Sequence, residues 1–283
     1  AHELAHQWFG DLVTASWWND IWLNEGMATW MEARVVDKWR PQLGTRTDAV
    51  ASAHSIMDLD GLITARAVRQ PVISTSDAQE AFDGITYEKG AAILSTIERW
   101  VGEDAFQRGV RDYLTESSYK SVSADRLFAA LDKSSGKDVT QMASAFLDKP
   151  GVPEVNAHLE CDQGARWHMD LSSQQWRPLG SKLPEESTAS WTIPVCVKVQ
   201  GEKKENCAEL VAGAPSIVAG RGCPQYVHPN AASSYYRFTL SEREIVRLAE
   251  SRRDLDAPLR ISLLSNAWAA VRSGQLEAKS LLK

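Results

Sequence analysis

His2-Glu3-Leu4-Ala5-His6, followed after eighteen intervening residues by Glu25 within Trp22-Leu23-Asn24-Glu25-Gly26, is the stretch on which the reading of this chain turns. On a helix, residues four apart share a face, so His2 and His6 can present two imidazoles to one point while Glu3 leans beside them. Two imidazoles and a carboxylate form a zinc ligand set, and a further glutamate next to them is a candidate general base. After His6 the chain runs Gln7-Trp8-Phe9-Gly10 and offers no short-range third histidine, so the third donor must be more distant. Glu25, on a following helix, is the candidate. The five-residue pattern alone also occurs by chance in unrelated helices, so its surroundings must carry the argument.

Between the two ligand segments, Asp11-Leu12-Val13-Thr14 and Trp17-Trp18-Asn19-Asp20 read as a polar and aromatic reversal between antiparallel helices. From Ile21 to about Trp39 the apolar positions Trp22, Leu23, Ala28, Met31, Val35 and Val36 recur at roughly helical spacing. Glu32 lies seven residues beyond Glu25, close to the same stripe. It either hydrogen-bonds a ligand histidine from behind, fixing tautomer and ring angle, or is an ordinary solvated carboxylate.

These segments in order, His2 to Gly10 and then Trp17-Trp18-Asn19-Asp20-Ile21-Trp22-Leu23-Asn24-Glu25-Gly26-Met27-Ala28, resemble the aminopeptidase N family of gluzincin zinc metallopeptidases. The resemblance implies that His2, His6 and Glu25 bind one zinc ion per chain and that Glu3 is the general base. Thr86-Tyr87-Glu88-Lys89-Gly90-Ala91 is similar to the segment in which that family holds its catalytic tyrosine, which implies that Tyr87 donates a hydrogen bond to the developing oxyanion. The implied function is a zinc-dependent aminopeptidase that hydrolyses the N-terminal bond of peptides through a zinc-activated water. Its partners would be peptides with a free N-terminus. A thermolysin-like endopeptidase and a non-catalytic zinc-structured binding module are the alternatives. Intact Glu3 and Tyr87 weigh against the second.

The chain opens at Ala1, one residue before the first ligand and without an initiator methionine, and so reads as a fragment. The family's Gly-x-Met-Glu-Asn segment, which grips the substrate amino group, is not found in it. Exopeptidase character therefore rests on the resemblance.

The 283 residues are 43% hydrophobic and 24% charged, values of an ordinary globular protein of roughly two domains. A net charge of -6 without a block of Lys or Arg argues against a nucleic-acid or basic membrane-binding role. Residues 44 to 149 read as a series of helices: Tyr87 to Val101 ending at Gly102, Asp104 to Leu114, one capped by Ser123, and Asp138 to Leu147. Lys149-Pro150-Gly151-Val152-Pro153 breaks the series, and alternation takes over in Glu154 to Leu159 and Trp191 to Val199.

The expected fold is multi-domain α+β. Pattern gives a helical part, a small β sandwich and the start of another helical region. With the resemblance, residues 1–150 become the C-terminal portion of a thermolysin-like catalytic domain, 151–238 the β sandwich and 239–283 the opening of an α-helical C-terminal domain.

All four cysteines fall in the β region. Cys196 and Cys207 flank a hairpin connection and are expected to face each other as a cross-strand disulfide, leaving Cys161 and Cys223 to pair; four reduced thiols are the alternative. Disulfides would favour a periplasmic or secreted location, reduced thiols a cytoplasmic one. His54, His158, His168 and His228 lack ligand spacing and read as structural or surface residues. Trp8, Trp17, Trp18, Trp22 and Trp30 are expected to pack a dry shell around the ligand helices, with Trp30 and Met31 as candidates to approach a substrate side chain.

Overall fold

A computed structural model describes residues 1–162, 166–181, 191–211, 214 and 216–281. It is a mixed helix and sheet structure in two compact units, one of residues 1–56 and 66–150, the other of residues 57–65 and 151–283.

The first unit is mainly helical. A single turn α1 (His2–Ala5) leads through β1 (Val13–Ala15) to the long α2 (Ile21–Trp39), and α3 (Thr45–Asp60) follows. After α4 (Thr75–Glu80) comes a π-helical turn, Ile85–Lys89, that runs directly into α5 (Gly90–Val101). The unit closes with α6 (Glu103–Ser117), β2 (Lys120–Val122), α7 (Asp125–Ser135) and α8 (Val139–Leu147).

The apolar faces of α2, α5, α7 and α8 meet in a core where Trp22, Leu23, Met27, Ile93, Leu94, Ile97, Phe128, Phe146 and Leu147 are all but fully excluded from solvent. Trp22 stacks on Phe128 at 6.1 Å between ring centroids. Burial of such side chains, at roughly 1.5–3 kcal/mol each, is what holds α2 against its neighbours.

Two local expectations are corrected. The segment before α2 is not a plain reversal: Val13–Ala15 form a strand that pairs in parallel with Lys120–Val122. Ser123 does not cap α7. The helix begins at Asp125 without a side-chain cap of its own, and the Ala124 N–H instead donates to Asp20 Oδ2 at 3.0 Å. Asp20 is buried at the head of α2 and also accepts from Trp22 Nε1 at 3.4 Å. One carboxylate thus ties the starts of two helices together, where their dipoles favour negative charge.

In the second unit β3 (Pro153–Cys161), β4 (Arg166–Gln175), β7 (Ser216–Arg221) and β9 (Arg237–Thr239) form a four-stranded sheet in the order β7-β4-β3-β9. Its β3–β9 pair is parallel and the others antiparallel. A second, antiparallel sheet has the order β6 (Asn206–Val211), β5 (Thr192–Val199), β8 (Val227–His228).

Strand β4 alternates, with Trp167, Met169 and Leu171 buried and His168, Asp170 and Ser172 turned to the wetter face. Strand β5 is buried along both faces from Ile193 to Val197, so it reads as a continuous apolar run. Cys161 pairs with Cys223 and Cys196 with Cys207, as the spacing suggests. Helices α9 (Glu242–Glu250), α10 (Ala257–Arg272) and α11 (Ala278–Leu281) complete the unit around Leu248, Leu255, Leu259 and Leu263.

Residues 57–65 join this unit through charge. Asp60 accepts from Gly151 N–H and Tyr235 O–H, while Asp58 takes the guanidinium groups of Arg237 and Arg272. No helix among the described residues is long and apolar enough to cross a membrane.

Candidate metal centre and active site

The single turn of α1 brings the two histidine rings to 4.8 Å between centroids, edge to face. Glu25, on the second turn of α2 and 8% exposed, points one oxygen at both of them: Oε2 lies 3.3 Å from His2 Nε2 and 3.5 Å from His6 Nε2. The donor atoms of His2, His6 and Glu25 therefore converge within 4.8 Å of one another.

Each imidazole is held from behind. His6 Nδ1 meets the Phe9 carbonyl at 3.0 Å, which places the proton on Nδ1 and leaves the Nε2 lone pair free for a cation. The chain can curl back this tightly because Gly10 adopts φ 141°, a conformation that a side chain would strain. His2 Nδ1 lies 3.5 Å from Thr29 Oγ1 and 3.8 Å from Glu32 Oε2. Glu32 thus stands behind His2 at ion-pair range, with the Thr29 hydroxyl nearer.

Glu3 is exposed on the same helical turn as the two histidines. Tyr87 sits in the π-helical turn, its ring nearly parallel to His2 at 6.0 Å. Partial burial and then the negative charge of Glu25, to which the phenol hydrogen-bonds, push its pKa up to about 12, with Glu3 adding to the effect. The hydroxyl is accordingly a donor at any physiological pH. Beside it, burial and then the Glu32 carboxylate raise the Glu88 carboxyl.

What places Tyr87 opposite Glu25 is a close helix crossing. A Cβ on Gly26 would stand 3.1 Å from the Gly90 carbonyl carbon and 3.3 Å from Ala91 N, so the backbones of α2 and α5 touch directly. The start of the π-turn is fixed by Asp83, whose Oδ1 accepts from Ile85 N–H at 2.9 Å and Thr86 N–H at 3.2 Å. Arg66 binds Asp83 in turn and donates to Thr86 Oγ1 at 2.8 Å. π-turns inside helices recur at functional sites because they re-aim a side chain that regular geometry would turn away.

The aromatic shell is only partly as expected. Trp22 and Trp30 are buried, but Trp8, Trp17 and Trp18 are 43–57% exposed. Trp30 packs inward: its Nε1 donates to Glu98 at 3.3 Å and its ring lies 5.1 Å from Phe106. Sequence reasoning missed Thr29, the Phe9 carbonyl and the roles of Gly10, Gly26 and Gly90. Thr29 was detectable, being four residues beyond Glu25 on the same face, whereas a backbone carbonyl leaves no trace in residue type.

The Peptidase family M1 domain matches residues 1–146. Over 225 residues the chain is 32% identical to Aminopeptidase M1 of Arabidopsis thaliana, a match covering 79% of this chain and 25% of that protein. It is 30% identical over all 283 residues, 34% of the relative, to Tricorn protease-interacting factor F2 of Thermoplasma acidophilum. It is 37% identical over 205 residues, 72% of this chain and 25% of the relative, to Probable aminopeptidase 1 of Sulfurisphaera tokodaii. The chain belongs to peptidase family M1. It spans about a quarter to a third of the length of these relatives.

Proposed function

We propose that this chain supplies the metal ligands and proton-transfer groups of a zinc aminopeptidase, which removes residues from the N-terminus of peptides. The observation that carries the reading is the single oxygen Glu25 Oε2 placed between His2 Nε2 and His6 Nε2. Tetrahedral zinc with bonds of about 2.0–2.1 Å requires donor atoms about 3.3–3.4 Å apart. The separations of 3.3 and 3.5 Å here fit that requirement, and two neutral imidazoles with one carboxylate suit the ion chemically. When bound, zinc would polarise a carbonyl and bring the pKa of water down to about 7.

The remaining work belongs to side chains. Glu3, free on the exposed side of the ligand turn, takes a proton from the attacking water and returns it to the departing amine. Tyr87, held protonated, donates a hydrogen bond to the oxygen of the scissile carbonyl as negative charge develops on it. The Phe9 carbonyl, Thr29 and Glu32 keep the two imidazoles at the right tautomer and angle. The names of the relatives, aminopeptidases in two of the three cases above, support an amino-terminal substrate over an internal one.

In the same reading residues 1–150 are part of a thermolysin-like catalytic domain, 151–238 a β sandwich and 239–283 the opening of an α-helical domain. The test uses the full-length protein: zinc content by elemental analysis, and turnover of matched free and N-acetylated peptides by wild type and Glu3→Gln. One zinc retained in the variant, with turnover lost and acetylated peptide refused, is expected. Undiminished turnover in Glu3→Gln would remove Glu3 as base, and equal use of acetylated peptide would replace the aminopeptidase with an endopeptidase.

A further inference from the structure

We propose a second divalent-metal site, remote in sequence from the HELAH turn, on the β3–β4 hairpin, made by Glu160, His168 and Asp170 with His158 at its edge. The register puts these four side chains on one face: His158 opposes Asp170 and Glu160 opposes His168, and alternate residues of a strand share a side. On the next strand Ala219 and Ile217 oppose His168 and Asp170, so the cluster's immediate flank there is apolar, while the cations of the same face, Arg166 and Arg221, oppose each other one pair further along.

The donor geometry resembles that of the ligand turn. His168 Nε2 is 3.3 Å from Glu160 Oε2 and 3.8 Å from Asp170 Oδ2, while the other Glu160 oxygen is 3.5 Å from His158 Nε2. Donor atoms of Glu160, His168 and Asp170 all fall within 4.8 Å of one another. A tetrahedral ion with bonds of about 2.0–2.1 Å needs about 3.3–3.4 Å between ligands, so small rotamer adjustments complete the set.

An imidazole with two carboxylates and a second imidazole in reach is the chemistry of a borderline divalent ion, zinc by preference, rather than of calcium or magnesium. The hairpin is also stiffened where it must be. Cys161, next to Glu160, is bonded to Cys223, and Leu159 N–H between the two β3 donors is held by Glu244 Oε1 at 2.9 Å. The side chains are 29–62% exposed, so the ion would enter from solvent and keep water as a further ligand. Its role is to cross-link β3 to β4, not to take part in hydrolysis.

The experiment counts zinc by equilibrium dialysis against Zn2+ alone, with the full-length protein as wild type, Glu25→Ala, His168→Ala and His158→Ala, each checked for folding by circular dichroism. The wild type should bind two ions and Glu25→Ala should keep the hairpin ion. His168→Ala should weaken that ion by more than about tenfold, since even outer partners of ligands are worth about 10–100-fold, and His158→Ala should weaken it less. In the Glu25→Ala background, Zn2+ should raise the melting temperature, and adding His168→Ala should abolish the rise. One ion in the wild type, lost in Glu25→Ala and untouched by His168→Ala, would overturn the hairpin site while leaving the first centre standing. A second ion indifferent to both histidine substitutions would overturn it equally.

Discussion

Gly26 and Gly90 are in backbone contact: a Cβ on Gly26 would stand 3.1 Å from the carbonyl carbon of Gly90. Each glycine neighbours a site segment, Gly26 following Glu25 and Gly90 following the turn that carries Tyr87. The distance between the carboxylate and the phenol is therefore set by the absence of a side chain at Gly26. The two positions differ in tolerance. A Cβ on Gly90 meets its nearest atoms at 3.5 Å, an ordinary contact.

Gly26→Ala should therefore push α2 and α5 apart by a few tenths of an ångström and destabilise the chain by about 1–3 kcal/mol, the usual range for overpacking. Gly90→Ala should be neutral or stabilising by up to about 1 kcal/mol through helix propensity. Urea unfolding of both variants, with zinc affinity measured alongside, checks this. Equal effects of the two substitutions would show that the crossing does not set the spacing.

Tyr87→Phe keeps the ring against His2 and removes only the hydroxyl. With the phenol as oxyanion donor, kcat should fall by about 10²–10³. KM and zinc content should stay near wild type, because the group acts on charge that develops only in the transition state. Steady-state kinetics on the full-length protein decide. A loss confined to KM would make Tyr87 a substrate-binding residue instead.

Much of this site is legible in the order of its residues, and the reason is periodicity. His2, Glu3 and His6 are related by one helical turn, Ile21 to Trp39 shows its apolar stripe, and the helix there has those bounds. The cysteine pairing follows from the hairpin alternation around Gly201. What stays hidden in the residue order depends on contacts distant along the chain. Asp20 caps α7 from 104 residues away, so the nearby Ser123 looks like the cap. The exposure of Trp8, Trp17 and Trp18 likewise has no sequence signature, because composition does not say which large aromatics are covered by the fold.

His228 gives the second unit a pH dependence. The ring is fully buried, its Nδ1 accepts from Asn230 N–H at 3.1 Å, and burial pulls its pKa from 6.5 down to about 4, against smaller opposing effects of the Leu259 backbone and then of Asp256. A histidine with a depressed folded pKa is neutral in the native state and takes up a proton on unfolding. Its contribution is thus fully present above about pH 6.5 and drains away as the pH falls towards 4. The whole effect is roughly 3 kcal/mol. Urea midpoints from pH 7.5 to 4.5 should fall in the wild type and fall less in His228→Gln. Parallel pH curves would rule His228 out as the source.

The two disulfides enclose loops of different length, 62 residues apart for Cys161–Cys223 and 11 for Cys196–Cys207. By loop-closure entropy they are worth about 4 and about 3 kcal/mol respectively. Material made under oxidising conditions should show no alkylatable thiol until reduced, and replacing the Cys161–Cys223 pair by alanine should lower stability more than replacing Cys196–Cys207. Four free thiols in native protein would refute the pairing.

Arg66 acts on the site through Asp83. Its guanidinium binds that carboxylate, the carbonyls of Ala67 and Ala81 at 2.8 and 3.2 Å, and Thr86 Oγ1, so a single side chain ties down the start of the turn that presents Tyr87. Asp83 is half open to water, which limits the cost of losing the pair to about 1–3 kcal/mol. The larger effect should be positional: a displacement of the phenol by a fraction of an ångström is expected to lower kcat by about tenfold or more. Arg66→Ala should therefore reduce kcat with little change in KM or zinc content. Arg66→Lys should recover stability better than kcat, because an ammonium restores charge but cannot reach four acceptors in one plane. If kcat is unchanged while the melting temperature drops, Arg66 serves the fold alone and the π-turn positions Tyr87 without it.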